Sequence, residues 1–119
     1  MICNHIKGGT SAPTIAAGTG AGTAPTVAVA NATDASGLVN ITTGTLPTGT
    51  NAIIATITFN TAYGVAPNVI LYPANAITAT LSGVSMAYVT STTTTFVLTS
   101  GTTALTASTA YSWFYHVIQ

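Results

Sequence analysis

The sequence predicts an all-β fold, an antiparallel β-sandwich with an extended N-terminal arm. Three observations carry that expectation. Threonine is the commonest residue, 26 of 119, and its β-branched side chain suits a pleated surface while keeping a hydroxyl for water. Beyond Pro25, short runs rich in Val, Ile, Thr and aromatics alternate with period two between clusters of Gly, Pro, Asn and Ser. No stretch supports a helix of any length: Ala74, Ala76 and Ala79 are interleaved with Thr and Ile between Pro73 and Gly83, enough for one turn only.

Seven strands are expected in a sandwich domain spanning 24–119. The first, 26–30, follows Pro25 and stops at the turn cluster NATDASG (31–37). The second, 38–43, runs into GTLPTG (44–49), a connector punctuated by Gly and Pro. In the third, 52–59, Ile53, Ala55, Ile57 and Phe59 share one face and form the expected core side, with Ile54, Thr56 and Thr58 opposite. The apolar run 68–72 is the fourth, and 85–90 and 95–99 flank a connector at 91–94. The last strand, 110–118, places Tyr111, Trp113, Tyr115 and Val117 on one face and Ser112, Phe114, His116 and Ile118 on the other. Both faces carry bulk, so the strand is either central between two layers or buries its second face against another subunit. Tyr111, Trp113, Phe114, Tyr115 and His116 are accordingly candidates for core or trimer interface.

From Lys7 to Ala24 the chain is mostly glycine, threonine and alanine with almost no large apolar side chain, the composition of a linker or tail, and the arm is placed at 1–23. We expect an extended arm that orders by docking on a neighbouring subunit, with Ile2, Ile6, Pro13 and Ile15 as its anchoring residues.

Charge narrows the function. Charged residues make up 2% of the chain, namely Lys7 and Asp34, against about 25% in ordinary globular domains. A nucleic-acid binder needs a basic patch to neutralise phosphates, and electrostatic attachment to an anionic membrane needs several clustered cations; neither is expected here. Mean hydropathy is +0.59, yet no run reaches the roughly 18 to 20 apolar residues of a spanning helix. The first seven residues lack the apolar core of a secretory signal, and Cys3 is the only cysteine, so synthesis in a reducing cytoplasm is expected. A chain of zero net charge and few surface charges favours self-association.

No catalytic, cofactor or metal site is expected. Paired-carboxylate hydrolysis needs two acids, and Asp34 stands alone. No serine lies in a G-x-S-x-G elbow that would make a triad with Asp34 and a histidine, and Asp34 is expected to accept backbone hydrogen bonds within its own turn. Cys3 and His5 make a C-x-H pair without a second pair to complete a metal shell. His116 is expected to stack on aromatics or bond to a threonine. The glycines at 18, 20 and 22 do not have phosphate-loop spacing. Tyr63, Tyr72, Tyr88, Tyr111, Trp113 and Tyr115 are read as core or interface residues, with a sugar-stacking platform as the functional alternative.

The segment 18–118, with GTGAGTAPTVAV, ITTGT, ATITFNTAYGVAPNVILYPAN, YVTSTTTTFVLTSGTTAL and a terminal Y-x-W-x-Y-x-V-I, resembles a Thr/Ala-rich β-domain of tailed-bacteriophage virion proteins. The resemblance implies a jelly-roll or H-type-lectin-like sandwich in a structural virion protein. Two roles follow. One is a capsid decoration (cement) protein, a homotrimer bound to the major capsid protein on the outer surface of the shell after synthesis in the host cytoplasm. The other is a tail-fibre or receptor-binding tip, joined to a fibre shaft and recognising host surface glycan. A start at Met1 without shaft repeats, followed by a Gly-rich arm, favours the decoration role.

Overall fold

A computed structural model describes residues 11–119. Eight strands, β1 (Thr14–Ala17), β2 (Thr26–Ala30), β3 (Ser36–Thr42), β4 (Ile53–Thr58), β5 (Asn68–Pro73), β6 (Tyr88–Ser91), β7 (Thr95–Thr99) and β8 (Ala110–Ile118), account for the regular structure, with one helical turn, α1 (Ala76–Ala79), after β5. They form two four-stranded antiparallel sheets: sheet one in the order β1-β4-β7-β6 and sheet two in the order β2-β3-β8-β5. The connections β3 to β4 and β7 to β8 both cross between sheets, and these four strands are the central pairs. The two layers are thereby interlocked. All-β sandwich is the fold that the alternation predicts.

The core is the space between the sheets. Val39 and Ile41 of β3, Phe96 and Leu98 of β7, Ile57 of β4, and Tyr111, Trp113, Tyr115 and Val117 of β8 fill it. Its aromatics form two groups: Phe96 lies 5.7 Å from Phe59 and 5.0 Å from Tyr115, centroid to centroid, and Tyr111 stacks on Trp113 at 5.9 Å. Burying such rings is the main favourable contribution to folding.

Three expectations need correction. The first concerns the arm, whose part from Thr14 onward belongs to the sandwich. β1 pairs with β4 from Thr14↔Thr58 to Ala17↔Ala55. Ile15 packs against the core, Ala21 lies inside it, and Pro13 is buried. The glycines that suggested flexibility serve close approach: the Gly18 N–H donates to the Ile54 carbonyl at 2.9 Å, and a Cβ at Gly20 would sit 2.8 Å from the Ala52 carbonyl oxygen. Of the arm's candidate anchors, Pro13 and Ile15 are therefore held within their own domain, and Ile2 and Ile6 lie outside the described residues.

The second correction concerns β4. Its register against β7 shifts between Ile53 and Ala55, since Ile53 faces Thr99 and Ala55 faces Leu98. A bulge of this kind breaks strict alternation. Ile54, assigned by period two to the outer face, is fully buried, and Ile53, assigned to the core, is 44% exposed. The third is the β6 boundary: the expected strand at 85–90 begins only at Tyr88, because Gly83–Ser85 form a 3-10 turn in which the Ser85 hydroxyl accepts the Ser82 N–H at 3.0 Å and donates to the Ser82 carbonyl at 2.8 Å.

Candidate interaction face

The two sheets present different outer faces. On sheet one, Thr14, Thr58 and Thr95 stand in register across β1, β4 and β7, and Thr56 and Thr90 flank Val97 in the next row. Threonine there offers hydroxyls to water. On sheet two, Leu38 of β3 pairs with Phe114 of β8, which pairs with Tyr72 of β5; one row along, His116 lies between Ser36 and Ile70, and Ile118 faces Asn68. Phe114 is 54% exposed, Tyr72 70%, Ile70 53% and Ile118 43%. Side chains of this size, contiguous on one sheet, form a candidate interaction surface. Further along, the face turns polar, where the Ser112 hydroxyl donates to Asn40 Oδ1 at 2.7 Å.

The strand-pleat rule therefore divides the candidates of the last strand. Tyr111, Trp113 and Tyr115 are core residues, while Phe114 and His116 belong to the exposed face. His116, expected beside aromatics or a threonine, instead has Ser36 and Ile70 as its cross-strand neighbours and is exposed. The sequence flagged the second face of β8. It did not reveal Leu38, Ile70 and Tyr72 as the neighbours that make a patch of it, because strand order and register are tertiary facts.

Beside Phe114 the surface dips into a recess of about 250 Å³ lined by Asn31, Ser36, Gly37, Leu38, Phe114 and Tyr115. Its floor is rigidly held. The Tyr115 hydroxyl donates to the Thr33 carbonyl at 2.6 Å, and Thr33 Oγ1 accepts from the Ala35 and Ser36 N–H groups, closing the β2–β3 turn. A smaller apolar crevice of about 120 Å³ opens between Trp113, Leu71, Thr78, Leu81, Met86 and Ala87.

Asp34 works as a brace between loops. Its Oδ1 and Oδ2 accept the backbone N–H groups of Asn60 and Thr61 at 2.7 and 2.8 Å, and its carbonyl accepts the Tyr63 hydroxyl at 3.2 Å. The expectation of backbone hydrogen bonds holds, but the donors come from the β4–β5 loop and not from its own turn. Burial, and then the negative charge of Asp34, push the Tyr63 and Tyr115 hydroxyls above the ordinary tyrosine value of 10.0.

Among the described residues, no three His, Cys, Asp or Glu side chains gather where they would hold a metal ion, and no buried side-chain nitrogen or oxygen lacks a hydrogen-bond partner. Cys3 and His5 lie outside the described residues. No helix among the described residues is long and apolar enough to cross a membrane. No protein-family model, curated protein or solved structure matches this chain.

Proposed function

We propose that the chain is a structural virion protein of a tailed bacteriophage, a capsid decoration subunit that binds the major capsid protein as a homotrimer and stabilises the shell. The observation that carries this reading is the uncovered apolar face of sheet two on a chain with only two charged side chains. Such a chain gains stability by burying that face in an assembly, and it has little charge with which to stay dispersed. Its role is to hold protein surfaces together, with no catalytic step and no cofactor. The resemblance of segment 18–118 to phage virion β-domains supplies the particular assembly.

A second reading, a receptor-binding tip at the tail, draws on one feature. The exposed Phe114 ring borders a recess rimmed by Asn31 and Ser36, a combination of aromatic face and polar groups that suits a sugar. Particles lacking the protein separate the two. The decoration role predicts heads that burst at lower temperature or under milder osmotic shock, with adsorption to host cells unchanged. Heads of undiminished stability together with lost adsorption would overturn it in favour of the tail role.

A further inference from the structure

We infer that the outer face of sheet two is the surface through which copies of this chain meet one another, with Phe114 and Tyr72 as its central contacts. The inference deepens the assembly reading above by naming which surface is covered and by what.

The partner's chemistry is constrained by the face itself. At its centre Leu38, Phe114 and Tyr72 form one uninterrupted row, with Ile70 and Ile118 beside them, and none carries a charge. A partner must therefore bring an apolar surface without unpaired charges, since a desolvated charge placed against this row would have nothing to pair with. A second copy meets that requirement: about a two-fold axis the patch packs on itself, and in a ring of three one side of the patch packs on the other side of the next copy's.

The size fits a small interface. Taking roughly 200 Å² for a fully exposed large side chain, the four exposed residues present on the order of 450 Å², and the exposed Ser36 and His116 extend the patch at its rim, against roughly 800 Å² per partner in an interface of standard size. The recess beside Phe114 adds shape. At about 250 Å³ it lies below the roughly 300 to 1,000 Å³ of small-molecule sites but has room for one ring, and the Tyr72 ring, 70% exposed, is the projecting group a second copy supplies. The outer face of sheet one carries a smaller apolar row, Ile53 and Tyr88 on either side of Thr99 and each 44% exposed, among its threonines.

The test is the solution mass of the full-length protein by light scattering at micromolar concentration, alongside Phe114→Asp and Thr58→Asp. Thr58 lies exposed on the outer face of sheet one and controls for the added charge. Far-UV circular dichroism establishes that each variant is folded, and Tyr72→Ala provides an uncharged second probe of the same row. We expect two or three chain masses for the wild type and for Thr58→Asp, and one for Phe114→Asp, with Tyr72→Ala weakening association at least tenfold. A monomeric wild type would overturn the inference, as would a Phe114→Asp variant that stays assembled or a Thr58→Asp variant that falls apart equally. The virion reading fails separately: a protein that assembles through Phe114 yet is missing from purified particles refutes that reading alone, and a monomer found on particles refutes only the homotypic contact.

Discussion

Trp113→Ala is the sharpest probe of how β8 is oriented. The indole is 4% exposed, stacks on Tyr111 at 5.9 Å, and forms one wall of the crevice beside Leu71 and Leu81. Removing roughly 200 Å² of buried ring at about 25 cal/mol per Å² gives an upper figure of about 5 kcal/mol. A compact unfolded chain lowers it by roughly 10 to 40%. The void left behind merges with a crevice that already opens to solvent, so water relieves part of the cavity cost, and the expected loss is about 3 to 4 kcal/mol, inside the range of about 3 to 5 for buried aromatics. For a domain of this size that corresponds to a fall in Tm of about 10 to 15 °C. Trp113 is the only tryptophan, so urea denaturation should be followed by far-UV circular dichroism, at one fixed protein concentration because self-association feeds into apparent stability. The midpoint should drop with the slope unchanged. A loss below about 1 kcal/mol would mean that Trp113 does not face the core and that the assignment of Phe114 to the opposite face is wrong.

Three further outcomes are expected. Because the β4 bulge turns Ile54 inward, Ile54→Ala should cost about 2 to 4 kcal/mol and Ile53→Ala less than about 1; equal losses in chemical denaturation would refute the bulge. Tyr63 and Tyr115 hold their protons more tightly folded than unfolded, so their contribution to stability is complete below pH 10 and is lost as pH rises above it. Denaturation midpoints should therefore stay level from neutral pH to about 10 and fall beyond, with Tyr115→Phe, which also loses the bond to the Thr33 carbonyl, showing a shallower alkaline fall; identical alkaline profiles would refute the assignment. Removing residues 1–22 deletes β1 and the buried Ala21, and thermal unfolding should show a loss on the order of 3 kcal/mol or more, whereas a docking arm would come away without cost.

The corrections share a physical origin. Period two was legible wherever strands are regular: β2, β7 and β8 fall at 26–30, 95–99 and 110–118, as the alternation indicates. It misled at β4, where one inserted residue reverses the faces of Ile53 and Ile54 without leaving a mark in composition. β1 was illegible for a different reason. The run TIAA has one bulky side chain and no turn chemistry of its own, and it is a strand because the β4 edge supplies its hydrogen-bond partners. The same holds for Gly18 and Gly20, whose composition signals a linker but whose lack of a Cβ lets the chain cross the backbone of β4.

The sequence by itself determined the class of fold and the kind of surface. Abundant threonine with alternating apolar residues requires sheets, two charged residues in 119 leave hydroxyls to solvate them, and a last strand loaded on both sides needs something to cover its second face. Only the tertiary structure decided which residues share that face. Leu38, Ile70, Tyr72 and Phe114 come from three strands, and the pairing of β3 and β5 with β8 brings them into one patch. Alternation along a strand is a local consequence of backbone geometry, while register between strands depends on contacts among residues far apart in the chain, which no local pattern encodes.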